Sequence, residues 1–437
     1  MDERLSETRY PRERIATLDI LRGIAILGIL FMNIPYMGQT DAIYEDARVI
    51  GWSTADQHVW TTLEVFLAGT QRGLLELLFG ATALILLAPA SKPSGPVAAV
   101  DAYYRRTVWL IAFGLIHGTL LLWSGDILFT YGIAGLLLFP LRKLPAGRLA
   151  AIGSACLLLT AAFSVPSVVE SARIREAAEN AMHRQLAGQV LEEAETKALD
   201  AWRGATERSM SAAERKAEEE GRLGVYTDNL RTTLPFTQKF NASVILYEDV
   251  AEAVFTMMIG MALFKWGVLQ GQRSRRFYAG LTFAGYGIGI PLNLAEAHSR
   301  IASGFLPPDW TQLTDNIGRI STTLGHVGLV VLLGGTAMGA LLLRPLKAAG
   351  RMALSIYISQ TIVTMFILFP GFGFGLWGRF GWSELTAIAA AIVAAQVVLA
   401  NIWLRFFAMG PLEWLWRWLT YGRRPQLRIR RALPALA

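Results

Sequence analysis

Apolar residues in this chain fall into long unbroken runs with few interruptions, as in TLDILRGIAILGILFMNIP at 17–35. A bilayer core of about 30 Å takes about 20 helical residues. By that measure ten runs predict spans, at approximately 15–36, 62–88, 107–124, 127–142, 148–168, 245–267, 277–295, 319–343, 352–370 and 384–408. Segment 169–243 breaks the pattern, being rich in Ala, Glu and Arg with mixed charge, and predicts an amphipathic helical excursion on the outer side. The expected fold class is therefore all-α: a polytopic membrane protein with about ten transmembrane helices and an extra-membrane helical excursion after the fifth. Residues 1–168 form a five-helix half with the polar cavity, and 169–243 the excursion. Residues 244–422 form the second five-helix half, and 423–437 a basic tail.

Composition sharpens this picture. The 437-residue chain is 53% hydrophobic and 17% charged, with a mean hydropathy of +0.38, outside the soluble globular norm. The net charge of +7 does not imply a nucleic-acid partner, because the cations sit in short loops between apolar runs. They cluster on one side: Arg4, Arg9, Arg12 and Arg14, then Lys92, Arg105 and Arg106, then Arg142, Lys143 and Arg148. The same side holds Lys265, Arg273, Arg275 and Arg276, then Arg344, Lys347 and Arg351, then Arg423, Arg424, Arg428, Arg430 and Arg431. Short loops on the other side offer Arg48, Arg300, Arg319 and Arg379. This bias predicts both termini in the cytoplasm and the lipid bilayer as a partner. No cleavable signal is expected at the first run. Cys156 is the single cysteine, so no intrachain disulfide can form. A homo-oligomer is left open.

An ionisable group within a span is costly unless it is paired or faces a cavity. In the first run Asp19, Arg22 and Asn33 fall within about 60° of one another on a helix face. They predict either an Asp19–Arg22 pair that locks the bundle or a face lining a polar cavity. Glu64, Arg72 and Glu76 extend the pattern into the second run, with Arg72 and Glu76 one turn apart. The third run carries GLIHGTLLLWSGDILFTYG, with His117 between two glycines and Asp126 where a helix cap belongs. An imidazole there can take and return a proton near neutral pH. His326 lies at similar predicted depth in the eighth run and is a further cavity candidate. No P-loop, GxSxG, HExxH or CxxC motif is present.

The stretches LDILRGIAILGILFMNI, GLIHG…WSGDILFTYGIAGL, GMALFKWGVL, GRMALSIYISQ and GPLEWLWRWLTYG together resemble the bacterial YeiB-type family of uncharacterised multi-span proteins. The LDxLRG opening is similar to that of the wider transmembrane acyltransferase superfamily, which includes the lysosomal heparan-α-glucosaminide N-acetyltransferase. The resemblance implies a bacterial inner-membrane protein that takes an acyl group from cytoplasmic acyl-CoA, such as acetyl-CoA, to an extracytoplasmic glycan or small-molecule acceptor. It makes Asp19, Arg22 and Asn33 a first-helix motif and His117 with Asp126 a second one. Superfamily members with a first-helix histidine carry it eleven residues after the arginine; here that position is Asn33. On this reading no cofactor is permanently bound, and Arg105, Arg106, Arg275 and Arg276 hold the CoA phosphates. His117 is the base or acyl carrier, with Asp126 orienting it and Arg22 or Asn33 at the oxyanion. The alternative is a proton-coupled transporter of a small or amphiphilic solute, with His117 and His326 titrating.

Overall fold

The computed structural model describes residues 15–89, 97–207, 210–239 and 249–429. Arg4, Arg9, Arg12, Arg14, Lys92, Arg430 and Arg431 lie outside the described residues, as do positions 240–248, which hold the end of the excursion and the start of the sixth predicted span. Among the described residues there is no strand, apart from an isolated pairing of Phe407 with Arg428.

Sixteen α-helices follow in chain order among the described residues. The first five are α1 Ala16–Gly38, α2 Thr54–Phe66, α3 Thr70–Leu87, α4 Val97–Thr119 and α5 Leu128–Leu141. Then come α6 Ala146–Leu186, α7 Glu193–Thr206, α8 Ala212–Leu223 and α9 Tyr226–Lys239. The remainder are α10 Val250–Lys265, α11 Arg275–Ala302, α12 Asp315–Gly334, α13 Ala337–Arg351, α14 Ala353–Ile362, α15 Trp382–Phe406 and α16 Pro411–Tyr421. A π-helical stretch, Val363–Leu368, prolongs α14.

Five helices are long and apolar enough to cross a membrane: α1, α2 with α3, α6, α12 and α15. A sixth is gained if α13 and the α14–π segment count as one span, although they are bent by 78°. The other predicted spans also fall on helix, but α5 and α10 are short, at 14 and 16 residues. Helix α4 opens with Asp101, Arg105 and Arg106, and α11 is charged at both ends. Length and composition thus point to membrane character, with five or six candidate spans among the described residues.

Three predicted boundaries shift for local reasons. The second run starts at Thr54 and breaks near Gly69, whose φ of 64° is readily adopted by glycine. The eighth run is not one helix: it stops at Gly334, and the Thr336 hydroxyl accepts the Gly339 N–H to start α13. No break occurs at 168, because α6 continues for 41 residues through Pro166 into the excursion.

The two halves of the chain pack into each other. Helix α10 lies against α3, α5 and α6, while α1 lies against α3, α13, α14 and α15. Glycines permit the closest approaches. A Cβ on Gly80 would meet the Met257 carbonyl, and one on Gly260 the Leu77 carbonyl, so α3 and α10 touch backbone to backbone. Gly23 and Gly350 do the same for α1 and α13.

The excursion folds back onto the bundle. The Thr40 hydroxyl donates to Glu218 at 2.6 Å and the Asp41 N–H at 3.0 Å. Tyr226 donates to the Leu120 carbonyl at 2.9 Å, and the Arg222 carbonyl accepts from Gly371. At the opposite end of the bundle, Glu413 of α16 accepts the Leu354 and Ser355 N–H groups and the Ser355 hydroxyl, capping α14. Burial holds the Glu413 carboxyl above its ordinary range.

Candidate functional site

His117 ends α4, and a tight turn containing Leu122 at φ 63° returns the chain to α5. Gly114 makes the return compact, since a Cβ there would strike the Phe129 backbone and the Asp126 carboxylate. Asp126 is consequently held in two ways. One oxygen accepts the Phe129 N–H at 2.8 Å, which caps α5, and the other lies 2.6 Å from His117 Nδ1. The capping reading and the partner reading of this residue both hold. On its far side His117 Nε2 meets Thr361 Oγ1 of α14 at 2.8 Å, and the ring packs edge-on to Tyr357. His117 and Thr361 are both fully buried.

With Asp126 ionised and the ring neutral, Nδ1 donates to the carboxylate and Nε2 accepts from the Thr361 hydroxyl. The result is a hydroxyl–imidazole–carboxylate chain with the connectivity of a nucleophile, base and orienting acid.

Asp126 also lines a cavity of about 370 Å³ whose wall includes Asn33, Arg72, Glu76, Asp315 and Arg319. This charged cavity holds a buried ionic network. Arg72 lies 2.6 Å from Glu252, 3.3 Å from Asp249 and 3.6 Å from Glu76. Arg319, 1% exposed, lies 2.5 Å from Glu252 and 3.2 Å from Glu76. Both arginines are thus fixed by carboxylates from α3 and α10, and Tyr131 donates to the Arg72 carbonyl at 3.1 Å.

Of the residues singled out from sequence, Asn33, Arg72, Glu76 and Asp126 meet at this cavity. His117 does not line it but stands one residue behind, reached through Asp126. Asp19 and Arg22 form their ion pair at 3.2 Å, and Arg22 also donates to Thr82 at 3.4 Å. That pair braces α1 against α3 and is not part of the cavity wall. Helical phase put Arg22 and Asn33 on one face but says nothing of their different depths. Glu64 belongs to another cavity, where it pairs with Arg300 at 3.5 Å.

His326 is engaged by Tyr286 at 2.8 Å and the Phe66 carbonyl at 2.9 Å, away from His117. The four cations expected to hold CoA have different individual surroundings. Arg105 pairs with Asp101 in solvent, and the Arg106 guanidinium stacks 3.6 Å from the Trp416 ring centroid. Arg275 donates to the Gly335 carbonyl, and Arg276 is exposed.

Sequence reasoning missed Arg319, Asp249, Glu252, Asp315 and Thr361. Arg319 was expected in a loop and instead lies inside α12. Its signal was the long polar lead-in DNIGRISTT, which a helix can bury along one side. Thr361 closes the motif GRMALSIYISQT, but nothing in that stretch names the histidine it meets.

Residues 263–423 match the family described as "Protein of unknown function (DUF418)". The chain is 29% identical over 425 residues to the uncharacterized protein YxaH of Bacillus subtilis (strain 168), covering 94% of each chain. It is 28% identical over 417 residues to the uncharacterized protein YeiB of Escherichia coli (strain K12), covering 93% of this chain and 96% of YeiB. An uncharacterized 39.9 kDa protein of Bacillus acidopullulyticus is 25% identical over 420 residues, covering 94% of this chain and 95% of that one. These likenesses run nearly the whole length of the chain, and the DUF418 match covers its C-terminal part.

Proposed function

We propose that the protein is a membrane-embedded acyltransferase that passes an acyl group from cytoplasmic acyl-CoA to a hydroxyl or amine acceptor on the extracytoplasmic side. The observation that carries this reading is the buried Asp126–His117–Thr361 chain beside a charged cavity. His117 Nε2 takes the Thr361 hydroxyl proton as its oxygen attacks the thioester carbonyl. The thioester C–S bond breaks, the CoA thiolate leaves with that proton, and an acyl-threonine ester remains. The acceptor then attacks this ester, giving its proton to His117, and Thr361 recovers it. Asn33, on the cavity wall, is the candidate oxyanion donor in place of Arg22. Arg105, Arg106, Arg275 and Arg276 are the candidate cations for the CoA phosphates on this reading.

The same reading takes ten crossings of the bacterial inner membrane, with α2–α3 and α14 with its π stretch each counted once. Both termini then face the cytoplasm and α7–α9 the outside, in keeping with the loop cations.

A proton-coupled transporter is the second reading, favoured by the Arg72–Arg319 network, whose Glu76 and Asp249 line a cavity in the bundle. Purified protein given acetyl-CoA separates the two. The enzyme releases CoA, and His117→Ala lowers that release by about 10²–10⁴-fold with expression intact. Undiminished release in that variant removes His117 from the mechanism, and a wild type that ignores acetyl-CoA leaves transport as the better account.

A further inference from the structure

A second cavity, of about 460 Å³, lies beyond the charged one, between α2, α6, α11 and the turns that follow α1. Tyr36, on its wall, is one helical turn past Asn33, so the two cavities adjoin along α1. Its volume suits a small organic molecule.

Two features of the lining point to the chemistry of its occupant. Five lining residues are aromatic: Tyr36, Tyr44, Trp60, Phe305 and Trp382. Tyr36 and Tyr44 stack with centroids 4.5 Å apart, and Trp60 meets Phe305 edge-on at 5.3 Å. The charged lining is Glu45, Glu64, Glu207 and Asp309 against Arg300, so carboxylates outnumber the cation. An anion is disfavoured by that balance. A bare metal ion is disfavoured too, because no three His, Cys, Asp or Glu side chains among the described residues are grouped to hold one. Aromatic faces beside carboxylates suit a cation that carries its own apolar surface. The fold already supplies an internal example, since the Arg48 guanidinium lies 5.4 Å from the Phe305 ring centroid beside this cavity.

We propose that this aromatic, acid-lined cavity binds an organic ammonium group, carried by a free solute or by an amine-bearing lipid headgroup. The proposal goes beyond acyl transfer and does not depend on it, because it concerns binding alone. Choline and ethanolamine serve as probes, with 3,3-dimethylbutanol as the neutral isostere of choline. The full chain is placed in nanodiscs of phosphatidylglycerol, which has no amine, and titrated calorimetrically. Saturable binding of choline or ethanolamine is expected, with the isostere at least about tenfold weaker. Tyr44→Leu, at a position 47% exposed and so compatible with an intact fold, is expected to weaken binding about fivefold without changing the size-exclusion profile. Repeating the titration in phosphatidylcholine nanodiscs assigns the source. Competition by the bilayer identifies a headgroup and its absence a free solute, and either result upholds the ammonium chemistry. Failure of both amines to bind overturns the proposal, as does equal affinity for choline and its isostere or indifference to Tyr44→Leu.

Discussion

The two polar assemblies at the charged cavity are built on different principles. Asp126, His117 and Thr361 form a linear chain with one partner on each side of the ring, and directional hydrogen bonds decide where its protons lie. Arg72 and Arg319 with Glu76, Asp249 and Glu252 form a branched network whose charges neutralise one another across α3, α10 and α12. A linear chain can pass a proton while its members keep their places. A branched ion network cannot lose a member cheaply, because each arginine answers more than one carboxylate. The first is therefore suited to chemistry and the second to holding the cavity open in one shape.

That contrast can be broken experimentally. Arg319→Met leaves Glu76 and Glu252 to share Arg72 alone, and the expected cost is about 3–5 kcal/mol of stability, read as a lowered unfolding temperature in detergent. Adding Glu76→Gln to that variant is expected to recover part of the loss; no recovery would mean that the network is not held by charge balance. Asp126→Asn keeps the shape of the chain but lets an amide donate toward Nδ1, which pushes the imidazole to the wrong tautomer. Acyl transfer is expected to fall about 10²–10⁴-fold at a stability cost of only about 1–2 kcal/mol. A loss of stability with activity kept would reverse the roles assigned to the two assemblies.

The smallest effect concerns the excursion, which contacts the bundle through buried and half-buried polar groups. Burial raises Glu218 above its ordinary range, with the charge of Asp41 adding to it, and burial raises Asp41 against the pull of Arg222. Both carboxyls hold a proton more readily in the folded contact than in an unfolded chain. Their contribution to stability is therefore fully present below the ordinary carboxylate range and is lost as pH rises through the raised values. Amide exchange in 212–239, corrected for intrinsic rates, is expected to slow on acidification from neutral pH, and Glu218→Gln to flatten that dependence. A contact that loosens in acid would contradict this sign.

Much of the fold was legible because its determinants are local. The runs that became α1, α6 and α15 announce themselves by length and apolarity, and the GLIHG…WSGD stretch marks both the turn after α4 and the His117–Asp126 pair within nine residues. The eighth run misled because apolar length continues smoothly across Gly334–Thr336, while the backbone break there depends on a cap. For Arg22 the sequence left a locking pair and a cavity face both open, because periodicity fixes the angle of a side chain around a helix but not which neighbour covers it at that depth; the pair with Asp19 is the one that forms.

The sequence by itself determined an all-helical chain of membrane character, the placement of costly polar groups inside apolar runs, and the nearness of His117 to Asp126 along the chain. The tertiary structure alone decided that Thr361, 244 residues away, completes the chain and that Arg319 answers Glu76 across 243 residues. The physical reason is that burial of a charge or hydroxyl only demands some partner. Which helix supplies that partner depends on close backbone contacts such as Gly80 with Met257 and Gly260 with Leu77, and those belong to pairs of helices packed together.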